Sequence, residues 1–152
     1  MGLIWQHSFT KEDKIRIREA IQAAERQTSG EVRVYFEQDC KDESVLQRAV
    51  KAFASLGMEK TADRNGVLFY IAFDDRQFAA LGDQGIHEKV TQVFWDRVRG
   101  ILASYFAREE FVEGLVQAIG EVGRQLQHHF PYQQDDVNEL PDDPVFHNES
   151  PS

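Results

Sequence analysis

At 152 residues the chain fits a single domain of ordinary size, long enough to bury one hydrophobic core without disulfides or metals as staples. Hydrophobic residues at 41% and charged residues at 28% are a globular composition, and no apolar run approaches the roughly 18 residues that span a bilayer. A formal net charge of -9 disfavours nucleic acid and anionic membrane surfaces as partners.

The opening MGLIWQHSFTKEDK has no basic start and no apolar core of a secretory signal, and Gln6 stands where N-myristoylation requires Ser or Thr. The lone Cys40 has no partner for an internal disulfide and suits a reducing compartment. A soluble, cytoplasmic protein without membrane insertion is expected.

Thr10 and Asp13 have the spacing of a capping box, and Ile17, Ile21 and Ala24 follow at helical intervals, which predicts an amphipathic helix over 11–28 ended by Ser29-Gly30. Val32, Val34 and Phe36 then alternate with Arg33, Tyr35 and Glu37, the period of a strand with one buried face. Asp42 or Ser44 caps a second helix, whose Val45, Ala49, Val50, Phe53 and Leu56 are expected on one face before Gly57 ends it.

The run from Val67 to Phe73 is apolar at nearly every position, as expected of a central strand covered on both faces. Asp74-Asp75-Arg76-Gln77 turns it into Phe78–Leu81, an antiparallel hairpin. Beyond Gly82-Asp83-Gln84-Gly85, Ile86, Val90, Val93, Phe94, Val98, Ile101 and Leu102 trace a third helix, and Phe111 to Phe130 a fourth. Pro131 closes the predicted domain, residues 8–131. Residues 132–152 are read as an extended or flexible acidic tail: Asp135, Asp136, Glu139, Asp142, Asp143 and Glu149 carry six of the nine net negative charges there, with no Lys or Arg.

The order α-β-α-β-β-α-α predicts an α/β fold, a three-layer α/β/α sandwich with a small mixed sheet flanked by helices. A right-handed crossover makes the first two strands parallel and the hairpin reverses the third. One edge then gathers Glu31, Asn65, Asp83 and His87, and the opposite edge Asp39, Cys40, Asp74 and Asp75.

Either edge is a candidate metal site. Glu31, Asp83 and His87 offer oxygen and imidazole ligands, although Asp83 serves equally as a helix cap. Asp39, Asp74 and Asp75 lie at the carboxyl ends of parallel strands, where clustered carboxylates suit Ca²⁺ or Mg²⁺, although Asp-Asp is also good turn chemistry. Gly82 and Gly85 before a helix resemble a phosphate cradle, but Asp83 repels a bare anion unless a cation bridges them. Covalent phosphatase devices are missing: after five intervening residues Cys40 is followed by Leu46, where a cysteine phosphatase needs Arg, and Asp74-Asp75 is not Asp-x-Asp. His128 and His129 are adjacent on a helix and point in different directions.

Ser29-Gly30-Glu31, Arg64-Asn65-Gly66-Val67-Leu68, Asp75-Arg76 and Gly82-Asp83-Gln84-Gly85-Ile86-His87, in this order and spacing over residues 8–131, resemble the TPM domain family. The resemblance implies an α/β/α sandwich, a weak acid phosphatase activity in one plant member, and binding of divalent cations, calcium in particular. Many members have Asp-Asn-Gly where this chain has Arg64-Asn65-Gly66, and Gly-Tyr-Gly where it has Gly82-Asp83-Gln84-Gly85. Many also carry a signal peptide and a membrane anchor that are not seen in this sequence. The leading expectation is a cation-binding interaction or regulatory module. The alternative is a weak metal-dependent phosphatase using metal-activated water, and a third reading is an adaptor whose acidic tail docks on a basic protein partner.

Overall fold

The structure, a computed structural model, describes residues 9–132 and 141–146. Helix α1 (Lys11–Glu25) begins at the expected capping box: the Asp13 N–H donates to Thr10 Oγ1 and the Thr10 N–H to Asp13 Oδ2, both at 3.0 Å. It stops three residues earlier than its sequence predicts. The Thr28 hydroxyl reaches over to the carbonyls of Leu126 and Phe130, and the Gly30 N–H donates back to Thr28 Oγ1, so this segment is tied to another helix rather than continuing its own.

Strand β1 (Glu31–Glu37) pairs in parallel with β2 (Gly66–Ala72), which pairs antiparallel with β3 (Gln77–Gly82). Between β1 and β2, α2 (Val45–Ser55) starts at a second capping box, Ser44 with Gln47, and is followed by a 3-10 turn, Met58–Lys60. Ala49, Ala52 and Phe53 face the sheet with Val45 and Leu56. Val50 is 51% exposed, against expectation, because the sheet-facing stripe at 45, 49, 52, 53 and 56 leaves position 50 well round the helix.

The predicted third helix is two. A four-residue helix, α3 (Gln84–His87), lies against the ends of β2 and β3; the chain then turns through Glu88–Val90, and Thr91, in extended conformation, precedes α4 (Gln92–Ala107). Helix α5 (Phe111–His129) packs between α1 and α4. One core joins these three helices to Val32, Val34, Phe36, Val67, Phe69 and Ile71; the other face of the sheet carries Tyr35, Leu68, Tyr70 and Ala72 against α2 and Met58. This is the α/β/α sandwich that the helix and strand order implies, with β2 buried along its whole length.

The sheet has a fourth strand that periodicity does not predict. Part of the expected tail, Val145–Phe146, forms β4, parallel to β1 with Tyr35 opposite Val145 and Phe36 opposite Phe146, giving the order β3-β2-β1-β4. The Phe146 ring stacks on Phe36 at 4.6 Å between centroids and tilts against Phe9 at 5.5 Å, so two apolar residues between acidic ones suffice to dock the segment. The rest of the expected tail, 133–140 and 147–152, lies outside the described residues.

Candidate functional site

At the edge where β1 and β2 begin and β3 ends, local sequence brings several polar groups under cover. Asn65 is 1% exposed, Glu31 2% and Asp83 7%. Register explains the grouping: Glu31 is paired with Gly66 on β2, and the Asp83 N–H donates to the Gly66 carbonyl at 2.9 Å, so the two carboxylates flank one residue from opposite sides. Their Cα atoms are therefore two strand spacings apart, roughly 10 Å. Met58 covers Gly66 between them.

The loop before β2 is held tightly to α3. The Gly85 N–H donates to the Arg64 carbonyl at 2.8 Å, and a Cβ on Gly85 would stand 2.2 Å from the Asp63 carbonyl oxygen. Arg64 adopts φ 51°, a left-handed conformation that an Arg enters at a cost of about 1 kcal/mol. That conformation presents its guanidinium to Asp83: Nε donates to Oδ2 at 2.7 Å and Nη2 to Oδ1 at 2.9 Å. Asp83 Oδ1 also accepts the Gln84 N–H at 2.8 Å as the cap of α3, and the pairing holds the Arg64 guanidinium above its ordinary pKa. Asn65 donates weakly to Ser29 Oγ at 3.5 Å, while Asn65 Oδ1 and Thr61 Oγ1 are buried without a hydrogen-bond partner. His87, the third residue expected here, is exposed; its main-chain N–H goes to the Asp83 carbonyl.

The opposite edge gathers Asp39, Asp74 and Asp75 as the topology requires, but each has local work. Asp75 Oδ2 accepts the Cys40 N–H at 2.7 Å, Asp74 Oδ2 accepts from Gln38 Nε2 at 2.8 Å, and Asp39 Oδ1 accepts the Lys41 N–H at 2.9 Å. They stitch the loop after β1 to the turn after β2. Asp74 and Asp75 are exposed. Among the described residues no group of three or more His, Cys, Asp or Glu side chains converges as a metal cage.

Behind this edge lies a buried network that sequence reasoning missed. Glu37, 1% exposed, takes two hydrogen bonds from Arg48, Nε to Oε1 at 2.9 Å and Nη2 to Oε2 at 2.6 Å, and a third from the Tyr70 hydroxyl at 2.6 Å. Arg48 continues outward to Glu43 at 3.3 Å, which also meets Lys51 at 2.6 Å. The hydrogen bonds to Glu37 raise the Arg48 pKa, and burial raises that of the Tyr70 phenol, with Glu37 adding to it. Burial, then the hydrogen bond with Asp75, pushes the Cys40 thiol up to about 11, which makes it a poor nucleophile. The available signal was the run itself: β2 reads as apolar on both faces, so the polar positions of its neighbour β1 had to be buried too.

The fold matches a known family. The TPM domain model aligns with residues 6–125, most of the chain. The chain belongs to the TPM domain family. The TPM domain here is similar to the BA42 protein of the psychrophilic bacterium Bizionia argentinensis, known from an NMR structure: 38% identity, TM-score 0.86, covering 92% of this chain and 97% of that one. It shares its fold with the N-terminal domain of cg2496 from Corynebacterium glutamicum (13% identity, TM-score 0.63, 95% and 85% covered). The N-terminal domain of a P. gingivalis protein is similar at the same level (17% identity, TM-score 0.62, 82% and 83% covered). No curated protein matches the sequence. Among its described residues this TPM domain has no helix long and apolar enough to cross a membrane.

Proposed function

We propose that this TPM domain is an interaction or regulatory module that takes a divalent cation at the edge formed by Glu31, Asn65 and Asp83. Calcium fits best and magnesium second. The observation that carries the reading is buried oxygen without a donor at that edge: Asn65 Oδ1 and Thr61 Oγ1 lack a hydrogen-bond partner beside two carboxylates almost out of water, and the donor that holds Asp83, Arg64, is itself partly exposed and displaceable. Buried oxygens in excess of donors are what a hard cation satisfies, and calcium tolerates the irregular ligand placement that magnesium does not. Asp83, Asn65 and Glu31 would hold the ion, which would supply charge neutralisation and lock the Thr61–Asn65 loop onto α3. His87 is not required by an all-oxygen set.

Arg64 is the built-in competitor, since it occupies both oxygens of Asp83. Its side chain is 42% exposed and has room to turn into solvent when a cation takes its place. Asp39, Asp74 and Asp75 make the weaker site, because Asp74 and Asp75 stand in solvent and none of the three leaves a buried oxygen without a partner. The phosphatase alternative depends on the same ion, and Asp83 already fills the Gln84 N–H that a phosphate would need. A partner recognising the acidic tail remains compatible with a regulatory module.

Calcium titration of the full chain, followed by amide NMR shifts, tests this. Shifts should concentrate at residues 31, 65 and 83. Shifts at 39, 74 and 75 instead would move the site to the other edge, and shifts at neither would sink the cation reading. Phosphate-ester hydrolysis that disappears with chelator and in Asp83→Ala would revive the enzyme.

A further inference from the structure

The two margins of the sheet differ. In the order β3-β2-β1-β4, β4 covers the outer side of β1 at Tyr35 and Phe36, while β3 is bonded on one side only. The Asp83 N–H donates to the Gly66 carbonyl, and main-chain groups alternate along an antiparallel ladder, so Gln77, Ala79, Leu81 and Asp83 are turned towards β2. Phe78, Ala80 and Gly82 are turned outward, and their N–H and C=O groups meet no main-chain partner among the described residues. The usual devices that blunt an edge are missing: Gln77–Gly82 has no charge and no Pro, and its register with β2 is unbroken.

An apolar ledge overhangs the same margin. Helix α2 packs on β2 and β3, and its Arg48 reaches sideways to Glu37 of β1. Leu46 and Val50 each stand two residues from Arg48, roughly 160° round the helix, so both project the other way, past β3. Both are more than half exposed.

We propose that the margin of β3, together with Leu46 and Val50, docks a second copy of this chain, strand antiparallel to strand, so that the two sheets become one. Register selects this partner. A two-fold axis through Ala80 engages all three outward residues in about six new hydrogen bonds, whereas an axis through Ala79 would carry Asp75 towards Asp83 of the second copy. Centred on Ala80, Phe78 lies opposite Gly82 of the second copy, Ala79 opposite its Leu81, Gln77 opposite its Asp83 and Arg76 opposite its Gln84. The bulkiest outward residue thus meets the one without a side chain, and no like charges face each other although the chain carries a net charge of -9. The same axis keeps both α2 helices on one face of the joined sheet, with Leu46 and Val50 turned towards their counterparts. An extended peptide paired with β3 would leave that ledge in water; a second copy covers edge and ledge in one contact.

Sedimentation velocity of the full chain from about 10 µM to about 1 mM, with amide hydrogen exchange at both ends of that range, tests this. The mass should climb from monomer to dimer, and the amides of Phe78, Ala80 and Gly82 should exchange about threefold more slowly, or slower still, at the higher concentration. Leu46→Lys combined with Val50→Lys sets like charges face to face on an exposed surface and should raise the dissociation constant at least about tenfold. Ala80→Pro removes the central outward N–H and no bond to β2, and should abolish the dimer. Should Ala80→Pro lose its fold by circular dichroism, the lysine pair decides. A chain that stays monomeric to about 1 mM, or a dimer that survives either variant unchanged, would overturn the proposal. So would protection of the three amides that is equal at every concentration, as another segment of the same chain lying on β3 would produce.

Discussion

Arg64 and Asp83, 19 residues apart in sequence, form a two-pronged ion pair that clamps the loop before β2 to the start of α3. Arg64 does this from a left-handed backbone conformation, and the pair stands at the buried edge where the proposed cation would bind. A metal ion bound at this edge would compete with the guanidinium for the same two oxygens, so on the proposed reading Arg64 would set its affinity.

Arg64→Gly removes the competitor and relaxes the left-handed residue together. The relief of about 1 kcal/mol of backbone strain offsets the loss of a solvent-screened ion pair. The melting temperature should therefore stay within about 4 °C of wild type. Calcium affinity at Asp83, measured by titration calorimetry or NMR, should rise about tenfold, the equivalent of one lost charged hydrogen bond. Unchanged affinity would mean that no cation contests this position.

Arg48→Ala should be the costliest single change to a surface-reaching residue. It strands the Glu37 carboxylate, whose side chain has no exposed area, and the price of breaking such a buried pair is about 3 kcal/mol. Tyr70→Phe, which removes a single donor, should cost about 1 kcal/mol. Urea unfolding of the two variants checks the ranking, and Arg48→Ala within about 1 kcal/mol of wild type would contradict it.

Cys40 should resist alkylation in the folded chain. Its pKa of about 11 keeps the thiolate scarce at pH 8, so the iodoacetamide rate should lie more than about tenfold below that of a free thiol and climb as pH rises past 9. Asp75→Asn removes a group that raises the thiol pKa and should speed the reaction at pH 8. Rates matching free cysteine would show that the thiol is neither buried nor perturbed.

Gly85→Ala should destabilise by about 3 kcal/mol, because the added methyl meets two main-chain carbonyls, and main chain cannot rotate aside. The expected fall in melting temperature is about 10 °C or more. A neutral outcome would require the Asp63–Arg64 loop to stand off from α3.

The elements that could be read in advance were those with a strong local signal. The capping boxes at Thr10 and Ser44 and the apolar run at Val67–Phe73 depend on neighbours a few residues away. Strand direction then placed Glu31, Asn65 and Asp83 at one end and Asp39, Asp74 and Asp75 at the other. The helix break at Glu88–Val90 has no Pro or Gly to mark it; it arises because α3 must lie at the end of the sheet and α4 on its face. Val145 and Phe146 make too short an apolar run to announce a strand, and become one only because β1 has an open edge and Phe36 a ring to stack on.

What the sequence by itself determined was the layer order and the end of the sheet at which each acidic residue lies, because periodicity, turn chemistry and crossover handedness are local or nearly local. Which acids are buried, and what neutralises them, only the tertiary structure decided. Asp83 meets Arg64, and Glu37 meets Arg48 and Tyr70, across 19, 11 and 33 residues of chain. An ionisable side chain acquires its chemistry from desolvation and from the partner within a few ångströms, and neither is a property of its neighbours in sequence.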